Sequence, residues 1–391
     1  MRSIITINAG SSSMKFAVFT IKDAALCKTH SGLVERITTN PHLRIKDYAG
    51  AIKFDADINL TSADVDPYEL AIYKILELLK EYNVTVVAAG HRVVHGALKY
   101  QHPVIVTPEI VDYLSTLEPL APLHQPFNLR GIEVFTKKFP TLKQIACFDT
   151  SFHFTCNDLT RLFAIPKKYR DAGLIRYGFH GLSYEYIVSQ FDKYLPKEKT
   201  NGKVIIAHLG QGASMCAVHN KKSLANTFGF SVLDGLPMGT RCGNFDPGAI
   251  LYLMKNYGLG YEELSQLLYK ESGLLGVSGV SSDMRELFAS DSKDAKLAID
   301  LFVYRSCSWI ASLAAELQGI DGIIFTAGIG ENSPQIREKI CMRLEWLGAK
   351  IDVEKNAKNA ATIHRPESKL FLHVIPTDEE LMIAEQTLRM I

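Results

Sequence analysis

The sequence contains no Cys-x-x-Cys pair, no His-Glu-x-x-His and no long apolar run, and each absence closes a class of protein. Its seven cysteines, Cys27, Cys147, Cys156, Cys216, Cys242, Cys307 and Cys341, are scattered and odd in number. That argues against a disulfide framework and a structural zinc site, and makes reduced, mostly buried thiols the expectation. No apolar stretch approaches the ~20 residues a membrane span needs. The start, a short apolar run from Ile4 to Ile7 and then the polar Asn8 to Ser13, is not the pattern of a signal peptide. The reducing cytoplasm is the expected address. An excess of one charge is missing too. Lys plus Arg number 43 against 42 Asp plus Glu, a formal net charge of +1, so no global field draws in nucleic acid or an anionic membrane. An anionic ligand has to be held by local groups.

Two phosphate-binding fingerprints are also absent. Nothing satisfies Gly-x-x-x-x-Gly-Lys-[Ser/Thr], and Gly328-Ile329-Gly330 is followed by Glu331, Asn332 and Ser333, which leaves Gly-x-Gly-x-x-Gly incomplete. This argues against a P-loop enzyme and a dinucleotide oxidoreductase.

What is present is a 391-residue chain, 47% apolar, long enough for two or three domains. Ile4 to Ile7, the turn Asn8 to Ser13 and Lys15 to Phe19 read as a β-hairpin with a polar tip. Ile205 to Met215 aligns on Ile4 to Met14 without gaps, matching both isoleucines, the serine and the methionine, so two related halves are expected. Asp66-Pro67 is an N-cap with proline at N1, and Ile72, Ile75, Leu76 and Leu79 form an apolar helical face. Strands are also expected at Val84 to Ala89 and Ile323 to Thr326, the second running through a glycine turn into a helix with Ser333 as N-cap and Pro334 at N1. Thr377 with Glu380 reads as a capping box opening a last helix whose apolar face carries Leu381, Ala384 and Leu388. Strands alternating with helices imply an α/β fold.

Three glycine-bearing turns follow strands: Asn8 to Ser13, His208 to Ser214 and Gly328 to Asn332. Such turns can cradle phosphates, because backbone N–H groups converge where no Cβ blocks approach; each could equally be only a tight turn. Ser11, Ser12 and Ser13 add hydroxyl donors, Asn8 an oxygen suited to a metal or its water, and Lys15 a point charge. Histidines and arginines recur among apolar neighbours at 90–96, 120–124 and 177–181, where a satisfied core histidine is the usual explanation. Arg241, between glycines, could grip a carboxylate or phosphoryl group in two-pronged fashion or simply pair with Asp246. Asp149 ends an apolar stretch.

Taken together, these segments resemble the acetate and propionate kinase family of the actin-like, hexokinase-like phosphotransferase superfamily. The matching stretches are NAGSSSMKF (8–16), GHRVVHG (90–96), LAPLHQP (120–126), FDTSFH (148–153) and RYGFHG (176–181). HLGQGAS (208–214), MGTRCGNFDPG (238–248), SSDMR (281–285), AGIGENS (327–333) and IPTDEELMIA (375–384) complete them. They run in order from one end of the chain to the other.

The resemblance implies a duplicated, ribonuclease H-like (actin/hexokinase-type) α/β fold with an interdomain active-site cleft. Its first domain would take 1–150 plus the C-terminal helix 380–391, its second 151–379. It implies reversible transfer of the ATP γ-phosphoryl group to acetate, giving acetyl phosphate and ADP, with Mg²⁺ (or Mn²⁺), in a homodimer. Asn8 and Glu379 then fall on the metal, although Glu379 also suits a helix dipole without one. Arg92 falls on the carboxylate, Asp149 on the acid/base position, and His180 and Arg241 on the transition state. Val94, Leu123, His124, Phe179 and Val232 would line the acyl pocket. Ser11, Ser13, Lys15, the loop His208, Leu209, Gly210, Gln211 and Gly212, the segment Asp283, Met284 and Arg285, and Gly328, Ile329, Gly330, Glu331 and Asn332 would hold ATP. Departures from the family's pattern are Ala97, Gln125, Tyr184, Gln211, Val232 and Asn244. The alternatives are a propionate or general short-chain carboxylate kinase, and, against Arg92, His180 and Arg241, a non-catalytic actin-like nucleotide-binding protein.

Overall fold

The computed structural model describes residues 1–23, 25–58 and 66–391. It divides into two compact units, Met1–Ser151 with Asp378–Ile391, and Phe152–Thr377. In the first unit the strands are β1 (Arg2–Ala9), β2 (Ser13–Lys22), β3 (Ala25–Glu35), β4 (His42–Asp47), β5 (Ile52–Asp57), β6 (Thr85–Val93), β7 (Val104–Ile105) and β8 (Lys143–Phe148). The second holds β9 (Val204–Leu209), β10 (Ala213–His219), β11 (Lys222–Asn226), β12 (Gly322–Thr326) and β13 (Phe371–Val374).

One topology is built twice. The first sheet runs β5-β4-β3-β2-β1-β6-β8-β7 and the second β11-β10-β9-β12-β13. In each, two antiparallel ladders (β3-β2-β1, β11-β10-β9) continue into two parallel ones (β1-β6-β8, β9-β12-β13). The expected relation between the halves is therefore present, but the gapless alignment does not hold through both hairpins. It would set Gly210 opposite Met215, as Ala9 faces Met14; Met215 instead faces Ala207. The second turn is tighter than the first. The central strands are buried along nearly their whole length rather than in alternation, as expected where both faces of a sheet are covered.

The helix Pro67–Glu81 starts as its sequence dictates, with Asp66 accepting from the Tyr68 N–H and Pro67 in the first turn; Ile72, Ile75 and Leu79 are buried and Leu76 is half-buried. Two other expectations need correction. Gly328 to Asn332 is not a turn: it belongs to a short helix, Ala327–Asn332, entered directly from β12 through Ala327 at φ 63°. Ser333 is the N-cap of the next helix, Pro334–Arg343, with Pro334 in its first turn as expected, although its side chain makes no capping hydrogen bond. At the C-terminus the N-cap of the helix Glu379–Leu388 is Asp378, accepting from the Leu381 N–H at 2.9 Å, because Thr377 is engaged with Ser183 and Glu331 in the second unit. The buried face of that helix is Met382, Ile383, Ala384, Gln386 and Thr387; Leu381 and Leu388 are half-buried. It lies on β6 where Gly90 has no side chain. A Cβ there would come 2.3 Å from Thr387 Oγ1 and 2.7 Å from Ile383 Cγ2.

Cys147, Cys216, Cys307 and Cys341 are buried, Cys156 and Cys242 half-buried and Cys27 exposed, all as free thiols. One helix, Lys293–Glu316, is long and apolar enough by length and composition to cross a membrane, although no unbroken apolar run reaches that length. Ala298, Ile299, Phe302, Val303, Ile310 and Leu313 on it are buried in the second unit.

Arg337 is the largest fully buried side chain among the described residues. Burial pushes its guanidinium down to about 10. Its donors meet neutral amide and backbone carbonyl oxygens instead of a carboxylate: Asn356 Oδ1 (2.7 Å), Gly330 O (2.8 Å), Glu331 O (2.9 Å), Asn356 O (2.9 Å) and Asn359 Oδ1 (2.6 Å). Two of these are carbonyls in the last turn of the helix Ala327–Asn332, where a cation suits the helix dipole. Replacing Arg337 by methionine strands these acceptors. Arg337→Met should lower the unfolding free energy by about 3 kcal/mol or more in urea denaturation; a loss under about 1 kcal/mol would show that the network is dispensable.

Candidate active site

The chemistry-bearing residues of each unit gather at the carboxyl ends of its parallel strands, the usual ligand position in open α/β sheets. In the first unit these are Asn8 on β1, Arg92 on β6 and Asp149 just after β8. Asp149 is 1% exposed and takes both prongs of the Arg92 guanidinium: Nε donates at 3.1 and 3.0 Å to its two oxygens and Nη2 at 2.6 Å to Oδ2. Nη1 donates to Asn8 Oδ1 at 3.3 Å. Burial works against the charge on Arg92, but the carboxylates of Asp149, Glu379 and Glu380 more than offset it and hold the guanidinium above its ordinary value.

Glu379, the first residue of the C-terminal helix, feels the reverse. Burial pushes its carboxyl above the usual range, Arg92 and Lys15 pull it back, and Glu380 and Asp378 add to the rise. Lys15 is exposed and faces Asn8 across the β1–β2 ladder. Ser11 is exposed and Ser13 half-buried in the turn, whose Gly10 carbonyl is held by the Tyr68 hydroxyl at 2.6 Å. Val94 is buried; Leu123 and His124 are half-buried. His91 and His95 are core histidines: burial lowers both imidazoles to about 4, so they are neutral.

In the second unit His208 stands at the end of β9, its Nδ1 2.8 Å from Ser183 Oγ. The His180 ring lies over it, centroids 4.2 Å apart, with Phe228 edge-on at 5.0 Å. His180 itself has φ 59° and opens the helix Gly181–Ser189. A Cβ on Gly212 would come 3.3 Å from His180 Nε2 and 3.8 Å from Arg241 Nη1, so these two donors converge on the bare backbone of the turn after β9. Arg241 also donates to Val232 O at 3.3 Å, whereas Asp246 accepts from Gly248 N–H and caps the helix Pro247–Tyr257. Gln211 lies over Gly239, where a Cβ would meet its Nε2 at 2.5 Å; the longer side chain is accommodated by a missing one.

Beside this turn is a cavity of about 590 Å³ lined by Gly210, Gln211, Asp283, Met284, Arg285, Phe288, Gly328, Ile329 and Asn332, among others. Of the residues assigned to a nucleotide, Gly210, Gln211, Asp283, Met284, Arg285, Gly328, Ile329 and Asn332 thus line one cavity of the second unit, and others of that unit do not. Gly330 is buried, and the Glu331 carboxylate faces inward, accepting from Ala327 N–H (2.8 Å) and Thr377 N–H (3.1 Å). Leu209 is a core residue and Phe179 packs edge-on against Phe228; Val232 is half-buried. Asp283 caps the helix Met284–Ala289 and is drawn down to about 2 by its hydrogen bonds from Arg285.

Sequence reasoning missed the residues that hold these groups. Asn128 accepts from Val94 N–H (2.9 Å) and donates to Ala9 O (2.7 Å), tying the ends of β1 and β6. Gln125 exchanges hydrogen bonds with the His95 backbone. Their signal was available: amides spaced with Leu129 and Ile132 on the buried face of the helix Gln125–Lys138. Among the described residues no group of three or more His, Cys, Asp or Glu side chains is placed to hold a metal ion.

Comparison with known proteins fits this arrangement. The acetokinase family model matches residues 3–385. An acetate kinase of Rickettsia prowazekii is 47% identical over 391 residues, covering 100% of both chains. Among solved structures, a propionate kinase from Francisella tularensis superposes with a TM-score of 0.93 at 36% identity, covering 100% of each chain. An acetate kinase of Porphyromonas gingivalis does so with 0.89 at 34%, covering 100% of this chain and 99% of that one. The class these findings define is a phosphotransferase with a carboxyl group as acceptor. The chain belongs to the acetokinase family.

The convergence on Gly212 gives a direct test. Gly212 has no left-handed φ, so alanine is tolerated by the backbone, but its methyl would crowd His180 Nε2. Gly212→Ala should lower kcat/KM on the order of 10²-fold, the scale of a small misplacement in an active site, with thermal melting nearly unchanged. Wild-type kinetics would show that the two donors do not act at this point.

Proposed function

We infer that the chain catalyses reversible transfer of the γ-phosphoryl group of ATP to acetate, giving acetyl phosphate and ADP. A carboxylate oxygen attacks the γ-phosphorus in line while the bond to the β-bridging oxygen breaks. The acceptor is already ionised near neutrality, since carboxylic acids of this kind titrate around pH 4. No general base is therefore required, and Asp149 serves chiefly by holding Arg92 in place. What remains is electrostatic work, because a loose phosphoryl-transfer transition state spreads charge over its equatorial oxygens. The observation that carries this reading is the pairing of His180 Nε2 and Arg241 Nη1 over Gly212, beside the cavity lined by Gly210, Gly328 and Asp283. We assign that cavity to ATP, and Arg92 with Val94, Leu123 and His124 to the acceptor.

Asn8 and Glu379 fit Mg²⁺. Magnesium binds through one or two carboxylates and keeps several waters, so the lack of a three-ligand cluster among the described residues is compatible with it. Glu379, pushed up by burial and crowded by Asp378 and Glu380, would gain from a second positive charge. When bound, the metal neutralises phosphate charge.

A homodimer in the cytoplasm completes the proposal. The helix Pro247–Tyr257 has no buried residue and exposes Leu251 (67%) and Tyr257 (68%) together with Tyr252 and Met254, an apolar face that a second copy would cover. Propionate as the acceptor is the competing reading, on the likeness to the Francisella enzyme.

The deciding assay incubates the protein with ATP, Mg²⁺ and acetate, propionate or butyrate and traps acyl phosphate with hydroxylamine; acetate should give the highest kcat/KM, and a preference for propionate would overturn the assignment. Arg241→Ala should lower kcat by roughly 10³–10⁵-fold. Arg92→Lys, which keeps the charge but not the two-pronged contact, should also be severely impaired. Near-normal turnover in either would remove its role. Glu379→Gln should raise the Mg²⁺ concentration for half-maximal activity, and an unchanged requirement would leave Glu379 only its helix-end position.

A further inference from the structure

Two residues outside the assigned site lead directly into it. Ser214 on β10 is fully buried, and its Oγ lies 2.8 Å from His180 Nδ1. The same oxygen lies 2.5 Å from the hydroxyl of Tyr184, also fully buried, one turn along the helix that His180 opens. The ladder places Ser214 opposite His208, so its position is fixed by the sheet, and the Tyr184 ring is fixed by edge contacts to His153 and His208. The result is a hydrogen-bonded row, Tyr184–Ser214–His180, ending at the ring whose other nitrogen faces Gly212 and Arg241.

We propose that Tyr184 and Ser214 are positioning residues that set the tautomer of His180, so that the proton sits on Nε2 and is offered to the transferring phosphoryl group. The proposal rests on the reading of His180 given above. Its chemistry follows from donor strength. A phenol, with a pKa near 10, is a far better donor than an aliphatic hydroxyl, which is the better acceptor; the short O···O distance suits that direction. Tyr184 O–H therefore donates to Ser214 Oγ, and the one Ser214 proton is turned toward His180 Nδ1. An imidazole that accepts at Nδ1 carries its proton at Nε2 when neutral. Without the phenol, the Ser214 hydroxyl can accept from Nδ1–H as readily as donate, and the ring loses its bias. A tautomer with a bare Nε2 presents a lone pair to phosphate oxygens, the wrong sign for stabilising their charge. This gives Tyr184, one of the positions where the sequence departs from its family's pattern, a function in the same site.

The test uses full-length protein labelled with ¹⁵N-histidine. Two-bond ¹H–¹⁵N spectra report the tautomer, with the His180 signals assigned by their loss in His180→Gln. The wild type should show Nε2–H. Tyr184→Phe should show a mixed population, with kcat down about 10-fold, the scale of one hydrogen bond, and KM for ATP and acetate changed less than about twofold. Ser214→Ala should give the same signature, the double variant should be no worse than Ser214→Ala, and Ser214→Thr, which restores a hydroxyl, should recover most of the rate. A purely structural role would move melting without moving the tautomer. If His180→Gln is crippled while Tyr184→Phe and Ser214→Ala keep both Nε2–H and the wild-type kcat, the relay is wrong and the His180 reading survives. If His180→Gln turns over like the wild type, the reading of His180 falls and the relay with it.

Discussion

The first unit's arrangement depends on one ion pair with a buried carboxylate and a half-buried guanidinium. Water would hold a guanidinium well, so Arg92 stays this far out of it because Asp149 takes both its prongs. Taking two charges out of water costs several kcal/mol for each ion, and good geometry is the condition on which their attraction offsets it. Here that geometry comes from backbone: β6 and β8 are adjacent parallel strands, with Arg92 opposite Cys147, so Asp149 emerges beside Arg92 once β8 has ended. Asn128 then locks the end of β6 to the end of β1, which brings Asn8 within reach. The pair also acts on its surroundings: Arg92 and Lys15 pull the Glu379 carboxyl down while burial, Glu380 and Asp378 push it up, and Asp378 is itself paired with Lys28 at 3.4 Å.

The second unit solves a comparable problem with bare backbone. Gly212 and Gly239 are the places where a side chain would crowd His180 or collide with Gln211; its absence lets the His180 imidazole and the Arg241 guanidinium approach a turn that carries its own N–H groups. Fixed dipoles and charges arranged before the reaction need no reorganisation while it proceeds. Both units use the same ladder topology for this: in the first, Asn8, Arg92 and Asp149 stand where parallel strands end, and in the second, His180 at a helix start and Arg241 in a loop meet the turn that follows β9. The duplicated fold is therefore a duplicated way of presenting groups, filled with different chemistry each time.

How much of this was legible in the sequence follows from the range of each interaction. The hairpins, the helix capped by Asp66 and the burial of Ile72, Ile75 and Leu79 are local matters of turn chemistry and period, and they were readable. So was the family, because the stretches that carry it are contiguous. At Ala327–Asn332 two glycines outweigh a helical period and make a turn the local reading, whereas the Thr377 N–H that engages the Glu331 carboxylate and the Ala207 carbonyl against which Gly330 packs come from far along the chain. Thr-x-x-Glu is a good local signature of a cap at Thr377, but its hydroxyl meets Ser183, far away in sequence. Ser214 and Tyr184 were invisible as a pair, since only the sheet and a helix turn bring their oxygens together.

The first unit is discontinuous along the chain, and this has a consequence for biosynthesis. Its sheet is covered on β6 by the helix Glu379–Leu388, yet every residue of the second unit lies between them in sequence. A ribosome therefore releases the strands of the first unit long before the element that shields Gly90 and its neighbours. Until then the nascent sheet has an open apolar face, a state prone to association, and it lacks Glu379. Chain order thus sets when the charges meet: Asp149 can pair with Arg92 early, whereas Glu379 joins them only after all of the second unit has been made.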